Sequence, residues 1–223
     1  MKEMRGLLEK DVRLFRYQGA KFFLMIAGIA VFLTLSGAME TGFINAYITS
    51  VMAIYSSSTI NYDEAEHGYE YLFSLPVSRK AYVREKYIFS FLLVMCGWCI
   101  GMICLGISLL VKKEQTFQME ILGENLLSLI VIIALAGIMI AIRIRFEAEK
   151  GRLVFPIVFL ILFGLIYFGI YFIESQPKLM DFIGQGAAVL GDGGVIALIV
   201  VGSVIVLLLS YLYSLRVIHR KEF

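Results

Sequence analysis

The stretch Tyr87–Val111 reads YIFSFLLVMCGWCIGMICLGISLLV, 25 residues without a charge. A helix of about 20 residues crosses the hydrocarbon core of a bilayer. A soluble helix of this length would carry charge along its outer face. Here the charges stand at the flanks instead, with Arg84, Glu85 and Lys86 before the run and Lys112 and Lys113 after it. Backbone polar groups in lipid must be satisfied internally, so an apolar run this long means helix rather than strand.

Five further charge-free runs follow the same rule: Phe22–Met39, Thr41–Tyr62, Asn125–Ile142, Leu153–Ile173 and Gly193–Leu215, of 18, 22, 18, 21 and 23 residues. They predict an all-α integral membrane protein with six transmembrane helices, forming a single transmembrane domain over residues 1–223. Residues 63–86 are its one long connector. The composition agrees, with 60% hydrophobic and 17% charged residues and a mean hydropathy of +0.84, far from the soluble norm. So little chain lies outside spans and connectors that no soluble catalytic domain fits.

Basic residues set the orientation. With the N-terminus inside, 17 of the 20 Lys and Arg residues fall on the cytoplasmic side, and only Lys112, Lys113 and Lys178 fall outside. The positive-inside bias therefore predicts six spans of the cell membrane with both termini cytoplasmic. The net charge of +2 sums two sides of a membrane and carries little information. Residues 1–21 place Met4, Leu7, Leu8, Val12 and Phe15 at helical spacing among Arg5, Glu9, Lys10, Arg13 and Arg16. They predict an amphipathic helix in the membrane interface.

The connector Asp63–Lys86 reads DEAEHGYEYLFSLPVSRKAYVREK. Its acidic start suits the first turn of a helix. Tyr69, Leu72 and Phe73 give an apolar face expected to stand exposed, the composition of an anchor patch. Leu75 precedes Pro76, which disfavours further helix, and Ser78 is placed to cap a new helix running into the next span.

In this loop, EAEHGYEYLFSLP followed by PVSRKAYVREKY resembles the permease subunits of bacterial ABC exporters. These are the short six-span type-2 permeases with no fused ATPase, similar to those exporting cytolytic or antimicrobial peptides. The specific likeness is confined to this loop, although the predicted topology fits throughout. The resemblance implies a permease dimer, made with a second copy or a paralogue, each half coupled to a separate cytoplasmic ATPase. It makes the helix before Pro76 the coupling helix, with Glu64, Glu66, Tyr69, Glu70, Leu72, Phe73, Leu75 and Pro76 as its contacts. No G-x-x-x-x-G-K-[ST] occurs in the chain, so the phosphate cradle of a P-loop is missing. ATP and Mg are expected on the partner ATPase, and no cofactor in this chain.

The second span is the most polar. Asn45, Thr49 and Ser56 share a face, which is either the wall of a water-filled cavity or a seam of interhelical hydrogen bonds. The fifth span carries Phe159, Phe163 and Tyr167 at spacings of four, a wrapping aromatic stripe that suits either an apolar cargo or lipid. In related exporters the second and fifth spans line the path, which makes these six residues the candidate translocation path. Gly97 with Gly101, and Gly137 with Ala141, allow close helix approach within the protomer or across a dimer.

Cys96, Cys99 and Cys104 lie within an apolar helix and read as packing residues, while His67 and His219 are isolated, so no metal site is assigned. Glu147 and Glu149 have no His near in sequence, which leaves a catalytic site without its parts and the chain without an expected enzymatic activity. No acid or base lies at mid-span, which argues against a proton- or ion-coupled carrier. The expected function is export of hydrophobic or amphipathic compounds, peptides or drug-like molecules, with membrane lipid and no nucleic acid among the partners. The alternatives are a membrane-embedded immunity or sensor protein without transport and, behind it, an intramembrane enzyme.

Overall fold

The computed structural model describes residues 2–36, 41–64, 68–74, 76–112, 119–146 and 175–221, together with 157, 160, 161, 164, 167, 168, 171 and 172. These residues hold helices and no strand. In chain order the helices are α1 (Lys2–Leu14), α2 (Ala20–Ser36), α3 (Thr41–Glu64), α4 (Gly68–Ser74), α5 (Arg79–Lys112), α6 (Met119–Arg145) and α7 (Pro177–Arg220). A π-helical turn, Phe15–Gly19, joins α1 to α2, and the two segments are bent by 60°.

Three of the described stretches are long and apolar enough to cross a membrane: Arg79–Ser108, Ile121–Arg145 and Gly193–Arg220. The bent pair of α1 and α2 reaches the same standard when taken together. The helix α3 has the length but less apolar content, because Asn45, Thr49, Ser50, Ser56, Ser57, Ser58, Thr59 and Asn61 lie along it. Its polarity is turned inward. Asn45, Thr49, Ser56, Ser57 and Thr59 are all buried, alongside Ile44, Ile48, Met52 and Ile60, where α3 packs chiefly on α5 and α6. The outer surfaces run the other way: Leu24, Phe32, Leu198, Leu209 and Leu212 are exposed, an arrangement that suits a lipid solvent.

Two glycines set the distance between α3 and α5. A Cβ on Gly101 would lie 1.9 Å from Asn45 Oδ1, and one on Gly97 would lie 2.8 Å from Met52 Cγ. The GxxxG pair therefore serves a seam within the protomer. Beside it Asn45 Nδ2 donates to Asn125 Oδ1 (2.6 Å) on α6, and Trp98 Nε1 on α5 donates to the Asn125 carbonyl (3.1 Å). The second small pair works between α6 and α7. The Gly137 carbonyl accepts from Tyr87 (3.3 Å) and Ser210 (2.5 Å), and Tyr87 and Tyr211 meet edge to face at 5.3 Å.

Ser78 caps α5 as its position predicts, accepting from the Ala81 N–H at 3.3 Å. The segment before Gly193 is helical from Pro177. It is broken at Gly191, whose φ of +64° is a left-handed conformation that glycine adopts at little cost. In the fifth predicted span, Ile157, Leu160, Ile161, Gly164, Tyr167, Phe168, Tyr171 and Phe172 are helical and share one face by spacing. Phe159 and Phe163 lie outside the described residues.

Because the space at Gly101 is already filled, Gly101→Ala should force α3 and α5 apart and lower stability by about 1–3 kcal/mol, the usual cost of overpacking. Gly106→Ala, where a Cβ meets nothing within 4 Å, should leave the thermal-denaturation midpoint in detergent near that of the wild type.

Candidate functional site

The loop between α3 and α5 folds back on the bundle at Gly68, where a Cβ would lie 2.4 Å from the Asp63 carbonyl oxygen. Only glycine allows the chain to turn so tightly into α4. With 3.6 residues per turn, Tyr69 and Leu72 then share one face of α4 and Glu70, Tyr71 and Ser74 another. The first face points inward. Tyr69 is 5% exposed and Leu72 8%, packed with Leu7, Ile60, Tyr82, Val83 and Ile218.

This corrects the expectation of an exposed patch at Tyr69 and Leu72: α1 and α5 fill the space beneath α4, and the two side chains are the floor of the loop. The outward surface is carried by Glu70, Tyr71, Ser74 and Pro76, with Tyr71 72% exposed. Glu64, at the end of α3, is half-buried and accepts from Lys221 (3.4 Å). Glu66, Leu75 and the side chain of Phe73 lie outside what is described.

Beneath α4 lies a joint of buried charge. Lys86 of α5 is 2% exposed. Its ammonium pairs with Asp11 of α1 and with Asp63 Oδ2 of α3 at 2.6 Å, and reaches Thr59 Oγ1 at 3.4 Å. Lys10 pairs with Asp63 and stands 3.4 Å from Asp11 Oδ1. The Tyr82 hydroxyl donates to Asp63 Oδ2 (3.1 Å). A phenol has one proton to give, so the Tyr69 hydroxyl, 3.3 Å away, donates to Tyr82. A chain of bonds thus runs from α4 to the charge cluster. From the C-terminal end, Lys221 sits 5.6 Å above the Tyr69 ring.

Burial by itself pushes the Asp63 carboxyl up, and the neighbouring Lys86 and Lys10 ammoniums outweigh it, leaving Asp63 below the ordinary carboxylate range. Burial also raises the Tyr69 hydroxyl, keeping it protonated as the donor that the chain needs. Glu85 is fully buried. It lies 3.9 Å from Lys86, with no hydrogen-bond partner at either carboxyl oxygen among the described residues.

Sequence reading missed this joint. Asp11 sits one turn after Leu7, on the apolar face of α1, and an acid on such a face was the available signal. Lys86, read alone, is one more positive-inside charge.

The path residues fall elsewhere. Asn45, Thr49 and Ser56 are buried in the α3 seams: Asn45 bonds Asn125, Thr49 donates to the Asn45 carbonyl (2.7 Å), and Ser56 Oγ lies 2.8 Å from Ser90 Oγ. In this conformation Asn45 ties α3 to α6 and Ser56 ties it to α5, while Thr49 bonds within α3, and all three side chains are buried among the described residues. Of the path aromatics Phe159, Phe163 and Tyr167, Tyr167 is among the described residues and is 62% exposed.

Removing one partner of a buried ion pair leaves an uncompensated charge and typically costs about 3–5 kcal/mol. Lys86→Met should lower the thermal-denaturation midpoint accordingly. Lys80→Met, at an exposed position of the same helix, should not; equal midpoints for the two variants would remove the joint from the account.

The helices, the apolar spans and the loop folded over a buried charge cluster describe a membrane protein with a polar working end. A search among curated proteins finds no match. The family model described as ABC-2 family transporter protein matches residues 6–219, nearly the whole chain. Members of that family are transport components rather than enzymes and normally work with an ATPase subunit. The chain is a multi-pass protein of the cell membrane and belongs to the ABC-2 transporter family.

Proposed function

We propose that this protein is the permease subunit of an ATP-driven exporter that moves hydrophobic or amphipathic compounds, peptides foremost, out across the membrane. In this reading it has six spans and cytoplasmic termini, and works as a dimer with a second copy or a paralogue. ATP and Mg are bound by a separate ATPase that docks on α4.

The observation that carries the reading is the two-sided build of α4. Tyr69 and Leu72 clamp its inner face to the bundle, while Glu70 and Tyr71 are offered outward. A helix fixed from below and bearing an exposed aromatic beside a carboxylate has the composition of an interface anchor. A push on it passes through Tyr69 and Tyr82 to Asp63 and Lys86, and so to α1, α3 and α5. Peptide cargo rests on likeness to short permeases of this kind and on the exposed aromatics Tyr167, Phe168, Tyr171 and Phe172.

The proposed path includes Asn45, Thr49 and Ser56 of α3 with Phe159, Phe163 and Tyr167 of the fifth span. It requires α3 to part from α5 and α6, exchanging the seam bonds for contacts with cargo.

Tyr71→Ala should abolish co-purification of the ATPase, at least tenfold by yield, while leaving membrane insertion and the melting midpoint unchanged, because the Tyr71 side chain is 72% exposed. Tyr69→Ala should lower the melting midpoint as well as ATPase recovery. Undiminished ATPase recovery with Tyr71→Ala would exclude α4 as the docking element.

A further inference from the structure

A second polar site lies beside the floor of α4, where α6 and α7 end side by side. Arg145 closes α6, and Tyr213, Arg216, Val217, Arg220 and Lys221 come from the end of α7. They surround a concavity of about 380 Å³. The spacing puts Tyr213, Arg216, Val217 and Arg220 on one face of α7. Lys221 is engaged by Glu64, whereas Arg145, Arg216 and Arg220 form no ion pair among the described residues and are exposed.

Cations at helix C-termini are favoured by the macrodipole, and that is the plain reason for some basic charge here. The magnitude does not cover all of it. Two helix ends present about −0.5 charge each, against the three guanidiniums of Arg145, Arg216 and Arg220, which leaves a surplus near +2 among the described residues. Arginine forks match phosphate geometry, and basic pockets between transmembrane helices hold anionic lipid head groups. Continuous with the pocket, Leu209 and Leu212 lie on the same α7 face as Tyr213 and Arg216. They are 61% and 59% exposed, an apolar track toward the middle of the span.

We propose that the pocket bounded by Arg145, Arg216, Arg220 and Lys221 binds a phosphate-bearing anion, supplied by an anionic phospholipid whose acyl chain lies along Leu209 and Leu212. The site pins the end of α7 to the end of α6 at the membrane surface. The proposal does not depend on which compound is transported.

The test uses the full chain purified in detergent, with phosphatidylglycerol, phosphatidylcholine and inorganic phosphate as probes. Adduct retention in native mass spectrometry and the melting midpoint are the readouts. Phosphatidylglycerol should be retained and raise the midpoint, and phosphatidylcholine should do neither. Arg216→Gln with Arg220→Gln should weaken phosphatidylglycerol binding roughly tenfold or more, whereas Lys80→Gln should not. Arg145→Gln, on the other helix, gives an independent reading if the double variant does not fold. Phosphatidylglycerol retention with no effect of inorganic phosphate assigns the site to lipid, and protection by phosphate alone assigns it to a soluble phosphate. Equal retention of the two lipids by the wild type, or undiminished binding in the folded arginine variants, overturns the proposal.

Discussion

Moving the Lys86 ammonium out of water is the condition on which this end of the molecule rests. An isolated ammonium in a low-dielectric interior is penalised by several kcal/mol even after relaxation. Asp11 and Asp63 lower that penalty only while α1 and α3 hold them against α5. The three helices cannot separate there without exposing the mismatch. Apolar contact supplies the attraction between them, and the charges fix which residues meet.

The consequence reaches α4. Asp63 lies in the last turn of α3, from which the loop departs, and its carbonyl sits against Gly68. Tyr82 bridges Asp63 to Tyr69. The short helix that the proposal gives to the ATPase therefore stands on a floor tied to three long helices, whereas a loop free to swing would dissipate a push. The 60° bend at Phe15–Gly19 lets α1 lie across this floor while α2 departs along the bundle. The close approach of Gly19 to Tyr55 fixes where the bend falls.

What could be read from the sequence was whatever depends on one element at a time. Charge-free runs show helices of spanning length, Ser78 shows a cap, and Pro76 shows a stop, because each signal is local. The α3 polar stripe was equally visible, but its meaning depended on a partner: Asn45 serves a seam because Gly101 and Asn125 stand opposite, 56 and 80 residues away. The exposure of α4 failed for the same reason. A helix of seven residues has two faces, and only the helices below it decide which is covered. The joint, built from Asp11, Asp63 and Lys86, is the most non-local feature, and no single stretch announces it.

A double-mutant cycle between Lys86 and Asp63 tests the central claim most directly, with unfolding free energies measured for Lys86→Met, Asp63→Asn and the pair. If the buried joint ties α5 to α3, the two changes are strongly non-additive. The paired variant is then more stable than the sum of the single losses predicts, by about 0.5–3 kcal/mol as for residues in contact. Additivity to within about 0.5 kcal/mol would contradict the account, because the two side chains would then be acting independently.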